Sequence, residues 1–313
     1  SGQANVTEVV SWGQNTWNIM SSAFLNCTNL TDVGVTSFKT DAFGECYYML
    51  KNCTSLLELD ARNWDLSLGW RAIDFLRGCT NLTKVDMTGL SINFSRHSNN
   101  MMDSVGTNVT DGCEFLMSGI SYLASNGTHP YWFMNSKIAP TSTFANWSWD
   151  NSISTWAGSG LFNFADVTGV DSTLDMSGWT TYPGSSLYLF FQALNGTNGV
   201  TNNRLTVDLT GLNVSNVNDM RKFCNASDIY KIKGISGLGA TAGNVNMSSC
   251  FHDSTLLKIP TSDNFSDAFI QSLTPTDIYA AFRGVGRNLP ESDLEASINL
   301  NGFDASNVSD FTT

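Results

Sequence analysis

Hydrophobic residues recur along the chain at offsets that repeat every 26 residues. Each copy has an apolar residue, a cysteine three positions later, and further apolar residues six and eleven positions after that cysteine. Self-similarity of this kind is typical of a solenoid, in which stacked units share one continuous core. The three copies are Phe24, Cys27, Val33 and Phe38; Leu50, Cys53, Leu59 and Trp64; and Leu76, Cys79, Val85 and Leu90.

Two kinds of element are predicted in each unit. A triplet with apolar residues on either side of an aspartate alternates with a period of two, which indicates a short strand with one face inward. The other half of the unit, around 19–24 and 72–76, spaces its apolar residues three and four apart, which predicts one or two helical turns. The triplets are Leu59-Asp60-Ala61, Val85-Asp86-Met87, Leu174-Asp175-Met176 and Val207-Asp208-Leu209.

These elements predict an α/β repeat solenoid of the leucine-rich-repeat class, with a short strand and a short helix in each coil of about 26–32 residues. A right-handed parallel β-helix is the alternative, since polar coils of similar length also stack in that fold. The helix-like half-repeat that contains Phe24 and Cys27 favours the first interpretation.

One solenoid is expected over residues 1–313. The stretch 93–171 matches the repeat only in short fragments and is rich in aromatic residues. It is therefore predicted to form either irregular coils or inserted loops. The other predicted segments are an N-terminal entry cap at 1–17, regular 26-residue repeats at 18–92, longer repeats at 172–297 and a terminal strand or cap at 298–313.

Composition and charge exclude several classes of protein. The formal net charge is −12 and the pI is near 4.5, which argues against nucleic-acid binding because phosphate contacts need a basic face. The longest apolar run, 187–191, is far shorter than the ~20 residues of a membrane-spanning helix. No motif for a cofactor or a metal is found, and no nucleophile elbow or dinucleotide fingerprint is present.

Two sets of residues are candidates for ligand binding. Trp132, Trp147, Trp149 and Trp156 either fill a wide core or present exposed rings to a sugar or a partner protein. The strand aspartates Asp60, Asp86, Asp175 and Asp208 either hydrogen-bond to the adjacent turn or form an acidic stripe for a cation or a basic partner.

The cysteines at 27, 53 and 79 are expected to be buried free thiols. On neighbouring coils their Cβ vectors point the same way, which opposes a disulfide. A later copy of the repeat places Ala226 in the same position, which supports a packing role.

Two longer phrases resemble the BspA-like leucine-rich repeats of bacterial surface proteins and phage tail or fibre proteins. They are Met20-Ser-Ser-Ala-Phe24-Leu-Asn-Cys27-Thr-Asn-Leu30-Thr-Asp-Val33 and Val207-Asp-Leu-Thr-Gly-Leu-Asn-Val-Ser-Asn-Val-Asn-Asp-Met220. The resemblance covers about 6–92, 172–260 and 298–311, and is poor from 93 to 171. It implies a solenoid that binds or adheres, and it carries no catalytic motif.

We therefore expect a non-enzymatic recognition or adhesion module outside the cytoplasm, on a virion or a bacterial cell surface. The phage tail or fibre is favoured, with a host-surface glycan or protein and other virion or surface subunits as partners. Two alternatives stay open: a purely structural subunit of such an assembly, and a β-helix enzyme that degrades polysaccharide.

Overall fold

The protein consists of two compact units, Ser1–Ile153 and Ser154–Thr313, in the computed structural model. Each unit is a parallel β-solenoid, in which short strands of successive coils pair with one another. The structure describes residues 5–34, 36–94, 99–124, 131–149, 160–179, 186–196, 204–234, 244–254, 257, 275–289, 306 and 308.

The first unit contains three rows of parallel strands: β1–β2, β3–β5–β7 and β4–β6–β8–β10. Its strands are β1 (Thr16–Ile19), β2 (Lys39–Glu45), β3 (Glu58–Asp60), β4 (Leu66–Trp70), β5 (Lys84–Asp86), β6 (Ser91–Phe94), β7 (Glu114–Leu116), β8 (Ser121–Ala124), β9 (Lys137–Ile138) and β10 (Ser148–Trp149).

The second unit contains the rows β11–β13, β12–β14–β15 and β16–β17, which are also parallel. Its strands are β11 (Asp166–Val167), β12 (Thr173–Asp175), β13 (Asn195–Gly196), β14 (Leu205–Asp208), β15 (Ile229–Lys233), β16 (Val245–Asn246) and β17 (Pro275–Asp277).

The apolar–Asp–apolar triplets form strands in the predicted register. Leu59 of β3 pairs with Val85 of β5, and Leu174 of β12 pairs with Val207 of β14. All four side chains are at most 1% exposed, because alternate residues of a strand point to the same side and this side faces the core. The strand prediction is therefore confirmed for these four triplets.

The helix predicted for each coil is wrong for the part of the chain that the structure describes. In an α-helix every N–H would bond to the carbonyl four residues earlier. Here the N–H groups of Ser22 and Phe24 donate to Tyr47 and Met49 of the next coil, at 2.8 and 3.0 Å. The intervening N–H of Ala23 closes a local turn on Met20.

Backbone angles explain why this segment does not become a helix. Ser22 and Asn26 have φ values of 59° and 60°, and Tyr48 and Asn52 of the next coil have 58° and 60°. A residue in this left-handed region cannot continue a right-handed helix. The segment is therefore a ladder of turns bonded from coil to coil, and the parallel β-solenoid of the alternative prediction fits it without a helix.

Parallel pairing continues through the described part of 93–171. Phe115 of β7 pairs with Val85, and Ser148 of β10 pairs with Ser121 of β8. Aromatic rings fill the core there, with the Trp132 and Trp147 centroids 5.7 Å apart. The predicted terminal cap at 298–313 lies outside the described residues, apart from 306 and 308.

All seven cysteines are free and buried, which confirms the prediction made for Cys27, Cys53 and Cys79. Cys53 and Cys79 each lie against a backbone carbonyl of the preceding coil, with Sγ–O distances of 3.2 Å to Phe24 and 3.1 Å to Leu50. The assignment of Ala226 to this position is wrong by one residue. Ala226 has a φ of 54° and takes the left-handed position, whereas Ser227 donates its N–H to Cys224 as Cys53 does to Leu50.

Candidate functional site

The tryptophans proposed as ligand platforms are core residues wherever their side chains are described. Trp132 is 1% exposed and Trp147 is fully buried, so neither ring is open to a ligand. The Trp147 indole also donates its Nε1–H to the Met117 carbonyl. Trp149 lies in β10 in register with Tyr122 of β8, and Trp156 lies outside the described residues.

The strand aspartates hold the turn that follows each strand. The Asp60 and Asp86 carboxylates accept the backbone N–H two residues later, each at 3.1 Å. Asp175 and Asp208 accept theirs at 3.0 Å. Such an Asx turn satisfies a backbone donor where the strand ends. The interpretation as local turn bonding is therefore confirmed for all four.

Basic side chains offset the charge of these aspartates. Asp60 pairs in register with Asp86, and the Arg62 guanidinium lies 2.6 Å from an oxygen of Asp60 and 3.4 Å from one of Asp86. The hydrogen bond from Arg62 lowers the pKa of Asp60. In the other unit Lys233 lies 3.8 Å from Asp208. Among the described residues, no group of three or more His, Cys, Asp or Glu is arranged to hold a metal ion.

The second unit has an outward-facing row that lies away from these candidates. Its four members occupy one position in four successive coils, because the N–H groups of Leu189, Lys222 and Ser249 donate to the carbonyls of Arg221, Ser248 and Tyr279. Tyr279 is 45% exposed, and the Arg221 side chain is half exposed. The members are Tyr188, Arg221, Ser248 and Tyr279.

Each member of this row is fixed by a hydrogen bond to its backbone. The residue two positions earlier accepts the N–H of the member: Ser186 at 3.1 Å for Tyr188, and Asp277 at 2.8 Å for Tyr279. Asp219 and Asn246 do the same in the two middle coils, at 3.1 and 3.0 Å. The residue between each capping residue and its row member is buried at Leu187, Met220 and Met247. Because successive side chains of an extended segment point to opposite sides, the row members point outward there.

A second outward row lies four residues further along each coil. Its members are Gln192, Asn225, His252 and Arg283, and backbone bonds of 2.8–2.9 Å keep them in register. The Gln192 amide donates to Asn225 Oδ1 at 3.2 Å, and the Asn225 amide donates to the His252 carbonyl at 3.0 Å. We call the two rows together the tyrosine–arginine face.

Charge on the tyrosine–arginine face is partly paired. Arg221 lies over the Tyr188 ring at 5.2 Å and donates from Nε and Nη2 to the two carboxylate oxygens of Asp219, at 2.9 and 3.0 Å. Burial acts to raise the pKa of Asp219, but the bonds from Arg221 and Ser186 outweigh it and leave that pKa below its ordinary value. Within the described residues, Arg283 has no ion-pair partner, and neither has Lys222, the exposed neighbour of Arg221 in the chain.

A pair of carboxylates forms a second feature of this unit. Asp166 pairs with Asn195, and Asp228 donates its N–H to Leu194 just as Asn195 donates to Ala165. The three side chains thus follow one another in successive coils, which puts Asp166 and Asp228 about 10 Å apart at two strand spacings. Burial, and secondly the charge of Asp166, raise the pKa of Asp228.

Sequence reasoning missed both features for a geometric reason. The Asn-Val-x-Asp fragment at 216–219 marks one cap of the tyrosine–arginine face, and that signal could have pointed to the residue two positions later. The spacing from Tyr188 to Arg221, Ser248 and Tyr279 is 33, 27 and 31 residues, so no fixed period aligns them. Nothing in the sequence singles out Asp228.

Comparison with known proteins finds no matching family model, curated protein or solved structure. Among the described residues there is no helix with the length and apolar character needed to span a membrane.

Proposed function

We propose that the chain is an extracellular recognition or adhesion protein that binds a glycan or protein on a host-cell surface. The tyrosine–arginine face supports this proposal most directly, because it aligns eight aromatic, amide, hydroxyl and cationic side chains on successive coils. Side chains that are held in place before binding lose less entropy when the ligand arrives.

The setting we propose is a phage tail or fibre, or a bacterial surface. The resemblance of 20–33 and 207–220 to BspA-like repeats supports it, together with a surface chemistry that is polar but low in charge, since only 14% of residues are charged. Other virion or surface subunits are the further partners in this proposal.

The test is retention of the purified chain on whole bacterial cells and on their extracted surface polysaccharides. Saturable retention is expected, and a heat-unfolded sample of the same chain should not be retained. Stripping glycans with periodate, or proteins with protease, would identify which component is bound.

Absence of saturable retention on a broad panel of bacteria would contradict the recognition proposal. The purely structural subunit would then become the better account of the solenoid, and a tight contact with another subunit would be sought instead.

A polysaccharide-degrading enzyme is the second candidate, and the Asp166–Asp228 pair favours it. Inverting glycosidases place two carboxyl groups roughly 6.5–9.5 Å apart, and their general acid has a raised pKa. Asp228 has the raised pKa that such an acid needs, and the spacing of about two coils is close to that range. The absence of a helical half-repeat among the described residues also removes the sequence argument against a β-helix enzyme.

An assay for reducing ends on bacterial polysaccharides distinguishes the two candidates. Activity that disappears in Asp228→Asn and persists in Asp60→Asn would establish the enzyme, because Asp60 is a turn cap with a lowered pKa. No release of reducing ends from polysaccharides that the chain binds would leave recognition as its function.

A further inference from the structure

We infer that the tyrosine–arginine face binds a polysaccharide that carries carboxylate groups, such as a uronic-acid polymer. This inference rests on the proposed recognition function and names the ligand class and the site. The shape of the face, its charge and its aromatic rings fit this ligand.

The shape of the face matches an extended polymer. Its members repeat once per coil over four coils, so the two rows run for about 14 Å with an interval of about 4.8 Å. The capping bonds at 2.8–3.1 Å keep each member in register. A linear chain with regularly spaced groups is the kind of ligand that can contact every coil in the same way.

The charge at the face favours an anionic ligand, because four basic groups lie in or beside it against three carboxylates. The basic groups are Arg221, Lys222, Arg283 and Arg287, and the carboxylates are Asp219, Asp253 and Asp277. Arg221 and Arg287 are matched by Asp219 and Asp253, at 2.9 and 3.4 Å. Lys222 and Arg283 are exposed and have no ion-pair partner among the described residues. A guanidinium is suited to a planar carboxylate, which it can bind through two parallel hydrogen bonds.

Aromatic and amide groups favour a saccharide over other polyanions. Tyr279 offers an exposed ring on which the apolar face of a sugar can stack, and the Gln192 amide oxygen and the Ser248 hydroxyl can hydrogen-bond to hydroxyl groups. A nucleic acid carries a much denser charge, and a chain with a net charge of −12 would repel it strongly. A polymer with one carboxylate per sugar is repelled less.

The experiment compares polygalacturonate with its fully methyl-esterified form, which keeps the backbone but blocks the carboxylates. Hyaluronan, alginate and polysialic acid complete the panel of carboxylated polymers. Binding is followed by biolayer interferometry for the wild-type chain and for the double variant Lys222→Gln/Arg283→Gln. The matched control is Arg62→Gln/Lys84→Gln, which changes the net charge equally but lies in the first unit.

Binding of at least one carboxylated polymer is expected, together with loss of binding to the neutral ester and weakening at higher salt. The Lys222/Arg283 double variant should bind about tenfold more weakly, as expected for two lost ion pairs, and the control should bind like wild type. Tyr279→Ala should weaken binding with no change in the salt dependence. A cooperative thermal unfolding transition in every variant shows that the fold is kept.

Three results would overturn the inference. These are no binding to any carboxylated polymer, equal binding of the ester and the acid, or equal weakening by the control double variant. If the chain is still retained saturably on bacterial cells, the recognition function stands and only its assignment to this face and ligand fails. If retention on cells is also absent, both fail.

Discussion

The Sγ atom of Cys79 lies 3.1 Å from the carbonyl oxygen of Leu50, one coil earlier. Cys53 makes the same contact with Phe24 at 3.2 Å. Serine takes over this position in other coils, where Ser136 donates to Met102 and Ser254 donates to Cys224. These coils place a small buried side chain with a donor against the neighbouring carbonyl. Val105, Ala165 and Leu194 hold the same position in further coils without a donor, so the thiol itself is not essential.

Cys79→Ser should cost little stability for this reason. Its hydroxyl would donate to the Leu50 carbonyl, so the free energy of unfolding should fall by about 1 kcal/mol or less. Cys224→Ser is the matched control, because Cys224 is equally buried and its sulfur has no hydrogen-bond partner among the described residues. That substitution should cost about 1–3 kcal/mol. Urea unfolding measures both values, and similar losses would show that the carbonyl contact has no influence.

The buried thiols should be inert in the folded protein. Burial, and secondly the neighbouring Cys27, raise the pKa of Cys53 to about 12, and burial raises that of Cys79 further. The thiolate is the reactive form, so a disulfide reagent at pH 8 should label less than one thiol per folded chain. All seven cysteines should be labelled in denaturant. Rapid labelling of the folded protein would contradict the burial of the cysteines.

The same pKa shifts predict a loss of stability in alkaline solution. Unfolded thiols lose their protons near pH 8.5, whereas the folded ones keep them to higher pH. The unfolded state then binds fewer protons than the native state, so the free energy of unfolding falls as the pH rises above about 8.5. Unfolding curves at pH 7, 9 and 10 test this. Replacing Cys53 by serine should reduce the slope, and an unchanged slope would assign it to other groups.

Asp60 should act mainly as a turn cap rather than as a charge. Asp60→Asn keeps an oxygen for the Arg62 N–H, as Asn213 and Asn246 do for their turns at 2.9 and 3.0 Å. It should cost about 0.5 kcal/mol, the scale of an exposed ion pair. Asp60→Ala loses the cap as well and should cost about 1.5 kcal/mol in total. Thermal unfolding of the two variants measures the difference between their losses of stability. Equal losses would mean that the ion pair with Arg62, and not the cap, stabilises this turn.

Strands and core positions were predictable because their signal is local and repeats. The 26-residue offset aligns Leu59 with Val85, and alternation then turns Asp60 and Asp86 away from the core. The turn ladder was not predictable. Its left-handed positions are held by residues as different as Tyr48, Leu189 and Lys222, none of which signals a positive φ. Their four-residue spacing imitates the period of a helix.

The burial of the tryptophans and the position of the tyrosine–arginine face could not be predicted from the sequence, because they depend on side-chain direction and on unequal coil lengths. Trp147 sits two residues before Trp149, which fixes a common side on a strand but does not say whether that side is core or solvent. Trp147 is buried because the rings of Trp132 and Phe144 pack against it, at centroid distances of 5.7 and 6.3 Å. These contacts join different coils and leave no local signal in the sequence. The tyrosine–arginine face needs the register of four coils of unequal length, which no single-sequence pattern supplies.

Gly112 and Gly89 provide a test of how tightly neighbouring coils approach each other. Both have a positive φ, 77° and 72°, so alanine at either site pays about 1–2 kcal/mol for the left-handed backbone. A Cβ at Gly89 would meet nothing within 4 Å, whereas one at Gly112 would lie 2.8 Å from the carbonyl carbon of Ile138 in the next coil. Relieving that clash requires a backbone shift, which costs a further 1–3 kcal/mol or so.

Gly112→Ala should therefore lower the free energy of unfolding by about 2–5 kcal/mol, clearly more than Gly89→Ala with its loss of about 1–2 kcal/mol. Urea unfolding of the two variants measures the difference, and since both share the cost of the positive φ, that difference reports the contact between coils alone. Equal losses would mean that the coil carrying Ile138 does not pack against Gly112 at this distance. The pairing of Cys113 with Ile138 would then be wrong.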